Sequence, residues 1–147
     1  EMLRDAGGVL WTRAGYAGGS SEHPSYLDVG DHAEAVEGWF DPERTTLRDV
    51  LLLFLRVHDP TTPGRQGEDI GERYRSLILT SSVGDRDVAE STLAAAEESG
   101  RWPGHIVTVI ADAGVFWEAE PSHQDHLRQN PSGYNGHFLR ANWRLDE

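Results

Sequence analysis

Cysteine is absent from all 147 residues. That excludes a disulfide framework, a thiolate zinc site and a thiol nucleophile among them. Positive charge is scarce, with 13 Lys and Arg against 25 Asp and Glu, a net charge of −12. Such a surface repels phosphate backbones and anionic lipid headgroups, so neither nucleic acid nor a membrane is expected as a partner. Long apolar runs are missing too: the longest, Val50 to Leu55, is far short of the roughly 20 residues needed to span a bilayer. Gly-Tyr-Ala-Gly-Gly at 15–19 lacks the spacing and Lys of a phosphate loop, and neither a His-Glu-x-x-His helix nor a Gly-x-Ser-x-Gly elbow occurs. With nothing that requires an oxidising compartment, a cytoplasmic protein is expected.

What is present suffices for one packed domain. Hydrophobic residues make up 37% of the chain, with five Trp, four Tyr and four Phe, a globular composition. A chain of this length buries about two-thirds of its unfolded surface in a single core.

The pattern predicts a mixed order of elements. Residues 1–6 read as the end of a helix stopped by Gly7-Gly8, and 8–17 as a strand entering a glycine-rich loop. Residues 33–40 form a second strand, ended by Asp41-Pro42. Thr46 with Asp49 opens a helix carrying Leu47, Val50, Leu51, Phe54, Leu55 and His58 at helical spacing, buried on most sides. The stretch from Asp59 to Arg73 has no core periodicity, and loops of that length are often functional. A strand at 74–81, a helix ending at Gly100, a strand at 105–112, a short edge strand at 115–120 and a short helix at 122–130 follow. The class is α+β, a small sheet flanked by helices.

Three groups of residues could carry chemistry. Period two places His32, Glu34, Val36, Gly38 and Phe40 on one strand face and Ala33, Ala35, Glu37 and Trp39 on the other. Both faces are partly apolar, which predicts a central strand covered on each side. A carboxylate held there is pushed toward its protonated form and becomes a proton donor, although a salt-bridged or edge glutamate is the plainer alternative. In the segment Arg65 to Ser76, Asp69 and Tyr74 are spaced to reach inward while the arginines face out; a solvated, charge-compensated loop is the plainer alternative. Seven histidines raise the question of metal, but His123 and His126, or His32 beside Glu34, lack the partners of a recognisable site, and no metal is expected.

Five ordered blocks, AGYAGGSSEHPSYLDVGDHAEAVEGWFDPE, HDPTTPGRQGEDIGERYRS, WPGHIVTVI, FWEAEPSHQDHL and NPSGYNGHF, resemble the A-type peptide methionine sulfoxide reductases from about Gly8 to Trp143. The resemblance implies that family's α+β two-layer sandwich, a mixed β-sheet flanked by helices with ferredoxin-like topology, as a single domain over 1–147. It implies a shallow aromatic pocket where a cysteine thiolate attacks the sulfoxide sulfur while a glutamate protonates the oxygen. Carried over by position, Glu34 matches that acid, Tyr26 and Tyr74 the tyrosines that hold the oxygen, and Asp69 the pocket aspartate; His123 and Tyr134 in the last two blocks complete the substrate-binding set. No cofactor is implied beyond an external thiol reductant such as thioredoxin, and the expected partner is a sulfoxide-containing small molecule or a peptidyl methionine sulfoxide, met by a monomer.

This chain departs from the family in two places. The family's Gly-Cys-Phe-Trp motif, its first strand and the start of its first helix would lie before Glu1, and Asn135-Gly136 stand where relatives often have a resolving cysteine. Two expectations follow. One is a reductase whose nucleophile lies upstream of Glu1. The other is a Cys-free homologue that binds a sulfoxide without reducing it, or uses Glu34 for a non-reductive, Pummerer-type dehydration.

Overall fold

The computed structural model describes residues 2–4, 6–124 and 137–145. Strand β1 (Val9–Ala17) pairs antiparallel with β2 (Ala33–Phe40), from Val9 opposite Phe40 to Ala17 opposite Ala33, with an irregularity between Val9 and Trp11. The short β7 (Trp117–Glu118) lies on the other side of β1, giving the order β2-β1-β7. Gly15 is required at that crossing. A Cβ there would run into the Trp117 carbonyl oxygen and stand 2.5 Å from the Phe116 ring.

The second layer is built on a parallel pair. Strand β5 (Leu77–Thr80) runs alongside β6 (Val109–Asp112), and helix α2 (Val83–Ser99) forms the crossover between them. Ser82 caps α2 by accepting the Asp85 N–H at 3.1 Å, and Gly100 ends it in the left-handed conformation at φ 65°, open to glycine without strain. Helix α1 (Leu47–Val57) begins at Thr46, whose hydroxyl accepts the Asp49 N–H at 3.1 Å. It is largely covered, as its apolar pattern predicts.

Two helix-centred clusters make up most of the core. Leu51, Ile78 and Ala89 join α1, α2 and β5; Leu55, Ala96 and Trp102 continue the packing, with the Trp102 indole N–H donating to the Leu55 carbonyl at 2.8 Å. Leu55 is fully enclosed, a burial that contributes about 2–3 kcal/mol. His58 closes α1 from within. Its Nδ1 faces the Phe54 carbonyl at 2.5 Å and so must carry the proton, which leaves Nε2 to accept from the Ser76 hydroxyl at 2.8 Å. Ser76 in turn accepts from Thr108 at 2.7 Å. Burial pushes the His58 pKa down to about 4, against the Phe54 carbonyl's opposing effect.

Several sequence expectations are corrected. Among the described residues β2 pairs only with β1, so it is an edge strand rather than a central one, and Val36 and Trp39 remain about half exposed. Partly apolar faces misled because Trp11 and Trp39 pack on each other, centroids 4.6 Å apart, outside the core. Met2 to Arg4 form a turn, not the end of a helix. The 59–73 stretch is not plain loop: it folds as a small hairpin, β3 (Arg65–Gln66) with β4 (Asp69–Ile70), then a 3-10 turn at Glu72–Tyr74. The antiparallel and parallel strands share no ladder hydrogen bonds among the described residues; they meet through packing, where Gly18 abuts Leu77 and Leu79.

Candidate active site

The β1–β2 connection is closed at its neck before it reaches the site. Asp31 accepts from Ser20 N–H at 2.7 Å, the Ser20 hydroxyl at 2.8 Å and Ser21 N–H at 3.0 Å. These bonds, led by the Ser21 and Ser20 backbone N–H groups, hold its carboxyl well below the usual carboxylate range. His32, buried beside it, accepts the Gly19 N–H through Nδ1 at 3.0 Å, so Nε2–H donates to the Ser21 carbonyl at 2.6 Å. Both of its nitrogens are committed to the loop. Reciprocal backbone bonds between Ser25 and Asp28, at 2.9 and 3.1 Å, tighten the tip that carries Tyr26.

Three chain segments converge below that tip. Glu34 on β2 stands opposite Tyr16 on β1, so the two share a face of the antiparallel pair. Tyr16 is buried and donates its hydroxyl to Glu120 Oε1 at 3.1 Å; burial, then Glu120, pushes its pKa up to about 12. The other Glu120 oxygen accepts the Tyr26 N–H at 3.2 Å, tying the loop tip to the strand. Tyr26 stacks on His123, centroids 4.7 Å apart and 20° from parallel. From the third segment come Asp69 on β4 and Tyr74 on the 3-10 turn.

Glu34 differs from expectation in its exposure. Its place on β2 leaves 36% of its side chain open to solvent, so it is a partly exposed carboxyl and not one sealed from water. Its pKa is nonetheless raised: partial burial dominates, Arg73 opposes it, and the charge of Asp69 adds to it. Tyr74 is raised likewise, by burial and then by Glu34. Glu34, Asp69, Tyr74, Tyr26 and His123 thus form one electrostatic neighbourhood. Tyr134 lies outside the described residues, and so does His126.

Sequence reasoning missed Arg73. Expected to face out with the other arginines, it points inward: Nη2 is 3.5 Å from Glu34 Oε1, Nη1 donates to the Tyr26 carbonyl at 3.0 Å, and its guanidinium lies 4.9 Å from the Tyr26 ring centroid and 5.4 Å from that of Tyr74. The available signal was charge balance, since two acids drawn to one mouth call for a cation between them.

Comparison with known proteins settles the family. The family model for peptide methionine sulfoxide reductase matches residues 1–144. The chain belongs to the peptide methionine sulfoxide reductase family. The MsrA of Nocardia farcinica is 50% identical over 145 residues, covering 99% of this chain and 85% of that protein; the Nitrobacter winogradskyi MsrA is 49% identical over 144 residues, covering 98% and 80%. Among solved structures, Mxr1 from Saccharomyces cerevisiae in reduced form is similar at a TM-score of 0.80 and 34% identity, over 90% of this chain and 79% of that one. Methionine sulfoxide reductase A of Corynebacterium diphtheriae is similar at 0.74 and 32%, over 90% and 69%. The α+β class is therefore that of the reductase family, and the chain is an oxidoreductase by kinship. Among the described residues no helix is long and apolar enough to cross a membrane.

Proposed function

We propose that these 147 residues supply the sulfoxide pocket and the proton donor of a methionine-S-sulfoxide reductase. Glu34 gives its proton to the sulfinyl oxygen, Tyr26 and Tyr74 hold that oxygen, and Asp69 and His123 line the mouth. The nucleophilic thiol comes from outside these residues, since they contain no cysteine. The thiolate bonds to the sulfinyl sulfur, and the oxygen, carrying the Glu34 proton and a second from solvent, leaves as water. Water then adds to the thiol's sulfur and gives up a proton, and the new S–S bond breaks to release the thioether. The resulting sulfenic acid condenses with a second thiol such as thioredoxin's, releasing water. The substrate is methionine sulfoxide, free or within a peptide.

The observation that carries this reading is the convergence of Glu34, its pKa raised by burial, with two tyrosines from separate segments at one aromatic mouth. A carboxyl whose proton is held more tightly than usual can deliver it to an S=O oxygen and make that oxygen a leaving group. The absence of cysteine favours one second reading, in which the same pocket binds a sulfoxide without reduction or dehydrates it through Glu34.

Assay of S- and R-methionine sulfoxide with dithiothreitol separates them. The reductase reading expects methionine from the S epimer, with turnover falling about 100-fold or more in Glu34→Gln, the usual worth of a general acid. Unchanged turnover in that variant removes Glu34 from the mechanism, and loss of sulfoxide into anything but the thioether moves the conclusion to the second reading.

A further inference from the structure

We propose that Arg73 is the positioning residue of this site, a clasped cation that holds the Glu34 carboxyl in place and keeps it in register with Tyr26 and Tyr74. Its functional consequence rests on the proposed role of Glu34, but the clasp itself stands on geometry. The guanidinium is held from three sides, by the Tyr26 carbonyl and by the two tyrosine rings. Stacking of this kind suits a planar, delocalised cation and does not suit an ammonium.

The fork is used in an unusual way. Arginine commonly meets a carboxylate through two parallel N–H donors, which locks the acid in its ionised form. Here Nε is buried without a hydrogen-bond partner, and Nη2 approaches Glu34 Oε1 only at 3.5 Å, one long contact rather than a bidentate pair. Glu34 is thus held by charge while its oxygens stay free to bind and release a proton. A bidentate pair would abolish that freedom, and no cation at all would leave Glu34 facing Asp69 uncompensated.

Among the described residues the groups that face Glu34 are Tyr16 from β1, Asp69 from β4, Arg73 and Tyr74 from the 3-10 turn, and His123 from the turn after β7. Arg73 supplies the largest counter-charge opposing burial of the Glu34 carboxyl. Removing its charge should therefore move Glu34 protonation upward; a residue that merely packs would not affect it.

The test follows the Glu34 carboxyl by carbon-13 NMR against pH, assigned with Glu34→Gln, in wild type, Arg73→Met and Arg73→Lys. Arg73→Met should raise the midpoint by about one pH unit or more, since a neighbouring opposite charge shifts a carboxyl by roughly 1–3. Arg73→Lys should restore most of the wild-type midpoint but still bind N-acetylmethionine-S-sulfoxide methyl amide several-fold more weakly, because the stacked fork is lost. In wild type, raising salt should move the midpoint upward as the pair is screened, a measurement that does not depend on any variant folding. A midpoint indifferent both to salt and to Arg73→Met overturns the inference, as does sulfoxide binding by Arg73→Lys that matches wild type. Failure of wild type to bind the probe sulfoxide, with the midpoint still responding, sinks the proposed function and leaves the clasp intact.

Discussion

Acidification offers a sharp test of how the interior is built, through His58. The chain of donors from Thr108 through Ser76 to Nε2 runs one way only, because Nδ1–H is spent on the Phe54 carbonyl. Protonating Nε2 would set two hydrogens against each other and charge a ring that is 7% exposed. The folded pKa of about 4 lies below the unfolded value near 6.5, so the unfolded chain binds the proton first. The stability His58 contributes is whole above 6.5 and is lost as pH falls toward 4. Linkage over that interval gives a total of about 3 kcal/mol, of which about 2 kcal/mol is lost between pH 7 and pH 5. Asp31 loses its contribution only below its ordinary value of 3.8; Glu34, whose pKa is raised, acts in the opposite sense and His137, whose pKa burial lowers, in the same sense, so the share of His58 is read as the difference between wild type and a variant at that position. Urea denaturation of wild type and His58→Asn at pH 7 and pH 5 reads the effect directly. The variant should be weaker at pH 7, yet its loss on acidification should be smaller by about 2 kcal/mol. Equal losses in the two proteins would refute the assigned tautomer and the buried, neutral ring together.

Tyr26→Phe and Tyr74→Phe should each weaken sulfoxide turnover about five-fold, the worth of one hydrogen bond near 1 kcal/mol; a double variant with unaltered kinetics would misplace the pocket. Gly15→Ala should cost about 2 kcal/mol in urea denaturation, because the added methyl displaces β7 at Trp117. The same substitution should lower the Tyr16 titration below about 12 as Glu120 moves away, while burial keeps it above its ordinary value, which near-ultraviolet titration can follow.

The helices were readable because their signals are local. Thr46 and Asp49 lie three apart, Gly100 stops α2 where a left-handed residue is needed, and apolar spacing does the rest. The place of β2 was not readable from its own residues. Whether Val36 and Trp39 face a neighbour or water depends on which strands lie beside β2, a long-range fact that alternation does not carry. The same holds for the site. Asp69 and Tyr74 were seen as inward-reaching, but the direction of Arg73 is fixed by Glu34 and Tyr26, residues 39 and 47 positions away, through contacts that no window of sequence contains. Burial of Glu34 was overestimated for a related reason: among the described residues β1 alone flanks β2, and 36% of the Glu34 side chain stays open to solvent.

The clamp that Asp31 and His32 place on Gly19, Ser20 and Ser21 divides the β1–β2 connection into a rigid collar and a separate crown. Length changes beyond the collar, between Glu22 and Ser25, need not propagate into either strand. The crown that presents Tyr26 is therefore an adjustable part, free to change length while the carboxyl on β2 keeps its position.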